Sequence, residues 1–328
     1  MTTVQSAPLP PKSAGAYAKD HSPRSNGRRT AMLIVVLLSP AIALYALFVF
    51  APLVQAARFS LFKWNGLGPL EDFVGLENYA NVWADPFFHT ALLNNLAVIA
   101  VSLAIQLPFA LWIATLLTGS FRGRAILRVA FFLPYILAEV VAAVLWSFML
   151  SPNGLINEAL RSVGLDTVAH PWLADPNTVM YAILWVVTWK YFGFYTILFM
   201  TALQNVPQEH LEAARIDGAS RAQVFWYVTL PAIGPTVRIS AFLAIIGSLQ
   251  LFDLVWVMTE GGPVGASSTM VTYMVSKGLR TYQFGFASAT AVTVAMMSFL
   301  FAVVYQRWVL ARDNQVDVKE GKRTHVAH

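Results

Sequence analysis

Residues 179–203 read VMYAILWVVTWKYFGFYTILFMTAL, and Lys190 is the only charged residue among them. A helix that crosses the hydrocarbon of a bilayer needs roughly 20 predominantly apolar residues. Lipid offers no hydrogen bonds to the backbone, so only helices and closed barrels can span it. A barrel strand would show alternating segments of about ten residues. This run is longer and does not alternate, so it reads as a membrane-crossing helix.

Working outward, the same pattern recurs at residues 31–54, 91–117, 129–150, 239–258 and 287–310. Composition agrees. The chain is 57% hydrophobic and 12% charged, against roughly 25% charged in soluble domains. The expected fold class is all-α, a polytopic membrane bundle of six transmembrane helices over residues 31–310. A Pro/Ser-rich basic tail over 1–30 is predicted to be disordered, and a short tail covers 311–328. The first apolar run is too long for a signal-peptide core. Cysteine is absent, which excludes disulfides, cysteine-ligated zinc and thiol catalysis. The net charge of +5 does not indicate nucleic acid, because the basic residues flank apolar segments and form no stripe.

Lys and Arg set the orientation. Lys12, Lys19, Arg24, Arg28 and Arg29 precede the first span, and Arg122, Arg124 and Arg128 lie between the second and third. Arg215, Arg221 and Arg238 lie between the fourth and fifth, and Arg307, Arg312, Lys319, Lys322 and Arg323 end the chain. Only Arg58, Lys63, Arg161, Lys277 and Arg280 fall on the other side. This excess predicts a multi-pass protein of a cell membrane, in contact with lipid, with both termini in the cytoplasm. The outer loops at 55–88 and 151–177 are long and rich in Trp, Pro and Gly. They read either as caps that dock a partner or as connectors with interfacial aromatics.

The inner loop at 205–231 reads NVPQEHLEAARIDGASRAQVFWYVTLP. Pro207 suits a first helical turn, and residues 208–216 are rich in helix formers. Gly218 breaks the run, and Asp217 or Ser220 can cap a second short helix. That helix places Val224, Phe225 and Val228 on one face, and Pro231 ends it. Isolated helices this short are marginal in water, so the hairpin is expected to dock on something.

Glu212, Ala213, Ala214, Gly218, Val228, Leu230 and Pro231 resemble the Glu-Ala-Ala motif of permease subunits of binding-protein-dependent ATP-binding-cassette importers. The one departure is Val228 where the pattern has Ile. FVGLENYANVWADP at 73–86 and TEGGP at 259–263 resemble the carbohydrate/glycerol-3-phosphate branch, specifically the maltose-type first permease. The resemblance runs from about Leu38 to Leu310. It implies a type I ABC importer permease fold of a prokaryotic membrane. It also implies a second permease subunit (a heterodimer), two ABC ATPase subunits and an extracytoplasmic solute-binding protein as partners. The transported solute would be a mono- or oligosaccharide. The ATPase-coupling residues would be Glu212, Ala213, Ala214, Asp217, Gly218 and Pro231. The chain has no Gly-x-x-x-x-Gly-Lys-Ser/Thr segment, so ATP and Mg are expected on the partner ATPase, with no cofactor or metal here and no enzymatic activity.

Charges inside a membrane are functional candidates by default. Glu139, Lys190 and Asp253 fall within the third, fourth and fifth spans. They read as a polar path for a hydroxylated solute, as a mutual Lys–carboxylate pair, or as charges near enough to the interface to snorkel. The family landmarks place Tyr135, Glu139, Tyr191, Phe194, Ser248 and Leu251 at positions resembling sugar contacts, and Gln250 joins them. Ordinary helix packing is the competing account of each aromatic. Pro134 can kink the third span. A stand-alone secondary transporter would show broken helices in matching halves, and a membrane enzyme would show a metal or nucleophile motif. Neither signature is present.

Overall fold

A computed structural model describes residues 27–119 and 122–310. Most of both expected tails, including Lys12, Lys19, Arg24, Arg312, Lys319, Lys322 and Arg323, lies outside the described residues. The chain divides into two compact units, 1–52 and 53–328.

In the first unit, helix α1 (Gly27–Tyr45) begins inside the segment expected to be a disordered tail. It runs into a wide π turn at Ala46–Phe50. Pro40 lacks the N–H that would bond the carbonyl of Val36, and Ser39 Oγ donates to that carbonyl at 3.0 Å instead. The side chains of residues 31–50 are exposed, as befits a helix whose solvent is lipid.

Helix α2 (Ala51–Phe59) starts at the boundary of the second unit, and α3 (Glu77–Ala84) lies within the first long loop. Asp85 caps the next helix by accepting from the Phe87 N–H, with Pro86 in the first turn, where its missing donor costs nothing. That helix is α4 (Pro86–Val101), continued through a π turn at Ser102–Gln106 into α5 (Leu107–Thr118). The third expected span is not one helix. It is α6 (Arg124–Ile136) and α7 (Glu139–Met149), bent by 98°, with Leu137 and Ala138 extended between them. After α8 (Leu155–Ser162), α9 (Val179–Gln204) is a continuous span, as expected.

The hairpin consists of α10 (Gln208–Ile216), α11 (Arg221–Val224), a π turn at Phe225–Thr229 and α12 (Leu230–Ala232). The fifth span also departs from expectation. Helix α13 (Gly234–Leu249) starts earlier and stops at Leu249, and the chain resumes as α14 (Asp253–Thr259). Helices α15 (Met270–Val275) and α16 (Phe284–Tyr305) complete the set. Four helices are long and apolar enough to cross a membrane, or up to six when each bent pair counts as one span. Among the described residues no strand forms; Phe62 and Phe73 make an isolated antiparallel bridge.

Helix α9 organises the second unit. Val179, Ile183 and Val186 pack with Trp146 of α7 and Leu254 and Val255 of α14. One turn and more further on, Tyr195, Phe199 and Met200 pack with Ala110, Ile113 and Leu117 of α5 and Ala244 of α13. A Cβ on Gly193 would collide with the Phe131 carbonyl oxygen, so this glycine is what lets the backbones of α9 and α6 touch. A third cluster joins Phe88 and Ala91 of α4 to Leu249, Met270, Tyr273 and Ala289.

Both long loops are built around single buried asparagines rather than left as bare connectors. Asn78 Nδ2 donates to the carbonyls of Ser60 and Phe62. Asn157 Nδ2 donates to Ser151, Pro152 and His170, while its Oδ1 accepts from the His170 N–H and Trp172 Nε1. Asp85 Oδ2 accepts from Tyr273 Oη and Lys277 Nζ. Burial alone would raise the Asp85 carboxyl, but these hydrogen bonds and the one from Phe87 outweigh it and hold it below its ordinary range.

Candidate functional site

The break between α6 and α7 exposes the carbonyls at the end of α6, which have no helical partner. Lys190, projecting from α9, supplies one. Its Nζ donates to the carbonyls of Pro134 at 3.0 Å, Tyr135 at 2.9 Å and Leu137 at 2.5 Å. An ammonium has three donors, so the group is fully used, at the negative end of the helix dipole. Lys190 is 2% exposed. It does not line the cavity described below and makes no ion pair with a carboxylate among the described residues, which corrects the expected Lys–carboxylate pair. The rings of Tyr135 and Tyr191 flank the ammonium, with centroids at 5.6 and 5.9 Å.

The same break brings Glu139 to the first turn of α7, where an acidic side chain suits the helix dipole. Glu139 therefore sits at a joint between two helices, not inside one continuous span. Tyr191 Oη donates to Glu139 Oε1 at 2.5 Å. Tyr135 stacks on Phe194 with centroids 4.9 Å apart and planes at 25°.

On the other side, α13 ends at Leu249 and the chain reopens as α14, so Gln250, Leu251 and Phe252 form a second break. Ser248 Oγ donates to the carbonyl of Ala244, and the Ser248 carbonyl accepts from Asn95 Nδ2 at 2.6 Å. Asn95 Oδ1 in turn takes the Met270 N–H. Asn94 Nδ2 fixes the carbonyls of Ala266 and Ser268.

The two breaks face one cavity of about 370 Å³. All seven residues expected on a substrate path line it: Tyr135, Glu139, Tyr191, Phe194, Ser248, Gln250 and Leu251. Asp253 lines it as well. Ser102, Gln106 and Tyr195 complete the polar wall. The sequence reading missed Ser102 and Gln106. Their signal was a pair of polar residues four apart inside the second span, which places them on one helical face. The lining holds two carboxyl side chains and no Lys, Arg or His. Among the described residues no cluster of His, Cys, Asp and Glu could hold a metal ion.

The hairpin is a separate candidate site. Gly218 adopts φ +83°, a left-handed turn that suits glycine, and a Cβ there would meet nothing within 4 Å. Of the two expected caps, Ser220 is used, not Asp217. Ser220 Oγ accepts from the Gln223 N–H, and the Gln223 side chain accepts from the Ser220 N–H. Glu212, Ala213 and Asp217 are exposed and Ala214 is half-buried. Ala214, Asp217 and Gly218 share a shallow depression with Gln223, Tyr227 and Val228. Val224 faces inward, while Ile216, Trp226 and Tyr227 stand out into solvent. The second helix runs one residue past Pro231, to Ala232, before a 68° bend into α13.

The second unit is a bundle of broken helices around a cavity, with a short exposed hairpin. Residues 106–317 match the family described as binding-protein-dependent transport system inner membrane component, and the chain belongs to that family. It is 30% identical over 276 residues to the probable ABC transporter permease protein YurN of Bacillus subtilis, covering 83% of this chain and 94% of that one. It is 30% identical over 314 residues to the diacetylchitobiose uptake system permease protein NgcF of Streptomyces coelicolor, covering 92% and 89%. The crystal structure of a bacterial importer of the acidic polysaccharide alginate shares the fold, with a TM-score of 0.75 at 23% identity, covering 85% of this chain and 95% of that one. The chain is thus a multi-pass permease subunit of an ABC importer and not an enzyme. Membership sets aside the stand-alone secondary transporter.

Proposed function

We propose that this permease carries a neutral or amino-substituted sugar into the cytoplasm, driven by a separate ATPase that docks on the hairpin. The observation that carries this reading is the cavity. Stacked aromatic faces from Tyr135 and Phe194 lie beside hydroxyl, amide and carboxyl groups, a combination suited to a ring with an apolar face and a rim of hydroxyls. Relatives named for diacetylchitobiose and lactose support the sugar class. The alginate importer carries an acidic polysaccharide; here two carboxyl groups without a lining cation favour an uncharged or cationic solute.

In this reading both termini are cytoplasmic. Glu212, Ala213, Ala214, Asp217, Gly218 and Pro231 form the coupling surface. Ala213 and Ala214 permit close approach, Glu212 pairs with a basic group on the ATPase, and Gly218 sets the bend. ATP-driven closure of two ATPase subunits moves this chain and a second permease between inward- and outward-facing states, which is a two-state element biased by a ligand. A binding protein delivers the sugar from outside. The test is affinity purification of the tagged chain from membranes. An ATPase should co-purify, and Glu212→Ala or Gly218→Asp should abolish its recovery. Full solute uptake by the chain alone in liposomes would sink the reading.

A further inference from the structure

Several polar side chains around the two breaks are bonded within the protein, and of the side chains that line the cavity only Gln106 holds a fully buried polar atom without a partner among the described residues. Asn95 uses both ends of its amide, Ser248 bonds Ala244, and Tyr191 bonds Glu139. Gln106 is 2% exposed and lines the cavity, yet among the described residues its Nε2 has no hydrogen-bond partner. A buried donor left unpaired is destabilising, and a leucine at that place in a lipid-spanning helix would carry no such penalty.

The backbone at this point also departs from a regular α-helix, as it does at four other π turns of the chain. Gln106 closes the π turn Ser102–Gln106, in which the Leu107 N–H reaches back to the Ser102 carbonyl. Pro108 then removes the next donor. π turns inside helices are sparse and concentrate at functional sites. Ser102 lines the same cavity as Gln106, so the turn delivers two polar side chains to one wall. A π turn and an unpartnered amide coincide on a single residue.

We propose that Gln106 is a specificity-determining residue that reads the solute directly. Its amide presents a donor and an acceptor, and a sugar hydroxyl is both. A hydroxylated solute held among Tyr135, Phe194 and Glu139 satisfies Gln106 once the side chain turns its amide into the cavity, whereas an apolar solute leaves it unpaired. Such a site discriminates by the cost of the unpaired group rather than by shape. This inference rests on the cavity being the solute path.

The test uses the complete importer, with its ATPase, second permease and binding protein, in proteoliposomes. Uptake of labelled maltose, lactose, trehalose and diacetylchitobiose is measured for wild type, Gln106→Leu and Gln106→Asn, together with each importer's thermal midpoint. Gln106→Leu should raise KM about tenfold, which is about 1.4 kcal/mol, while its midpoint stays level or rises. Gln106→Asn, which keeps the amide, should fall between. Wild-type KM in Gln106→Leu, or a midpoint lowered by several degrees, overturns the proposal, the latter because it makes the side chain structural. If wild type takes up none of the four sugars, the sugar reading fails separately. The midpoint then decides for Gln106: a rise upholds a polar group held against stability, and a drop overturns it.

Discussion

The cavity and the hairpin are both incomplete surfaces, in opposite senses. In the hairpin Ser220 and Gln223 satisfy each other locally, and several large apolar side chains are left exposed. Ile216 is 85% exposed, Trp226 61% and Tyr227 79%. In the cavity the apolar groups are packed into the clusters around α9, and it is a polar group, Gln106, that lacks a partner. A surface awaiting a protein holds back hydrophobic area, which association then removes from water. A surface awaiting a hydroxylated solute holds back hydrogen bonds. The contrast gives each site a physical signature independent of its sequence motif.

It also predicts how far damage spreads. Replacement of Lys190 by Met should have the largest effect, because three buried or part-buried carbonyls lose a charged donor. Hydrogen bonds to charged groups are worth about 1.5–3 kcal/mol each, and a loss of at least about 3 kcal/mol is expected in thermal unfolding of the purified chain. An unchanged midpoint with abolished uptake would instead return Lys190 to the solute path. Gly193→Ala comes next. The new methyl meets the Phe131 backbone, which cannot swing aside as a side chain would, and overpacking of this kind costs about 1–3 kcal/mol. Cross-linking between α6 and α9 should report their separation. Ser220→Ala should matter least, costing about 1 kcal/mol as a lost helix cap. Hydrogen exchange should speed up in residues 221–224 alone while the global midpoint holds. A global drop would show that hairpin and cavity are one cooperative unit, and the comparison would fail.

The sequence made the two sites unequally legible. The hairpin was readable almost residue by residue, because Pro207, Gly218 and Ser220 act through local backbone chemistry. The choice between Asp217 and Ser220 as cap, the π turn at Phe225–Thr229 and the helix end at Ala232 rather than Pro231 needed coordinates. The membrane helices were readable in number and rough position from apolar length. The breaks were not. Pro134 pointed to a kink in the third span, but the chain turns three residues later, at Leu137 and Ala138, where the sequence carries no glycine or proline. What stabilises that turn is Lys190, more than fifty residues away, and a long-range partner leaves no local pattern. The fifth span fails in the same way at Gln250, within a run whose hydropathy is uninterrupted enough to read as one helix. The cavity residues were found through their likeness to sugar contacts, whereas Ser102 and Gln106 carry no such likeness and were passed over.

The bonds of Lys190 go to main-chain oxygens, which every amino acid possesses. Residues 134–137 can therefore drift in identity without weakening the joint, provided the chain still turns there. The lysine answers to a shape and not to a partner residue. A joint of this kind leaves no correlated pair of substitutions in a set of descendants. Only the persistence of one lysine in an apolar helix would record it.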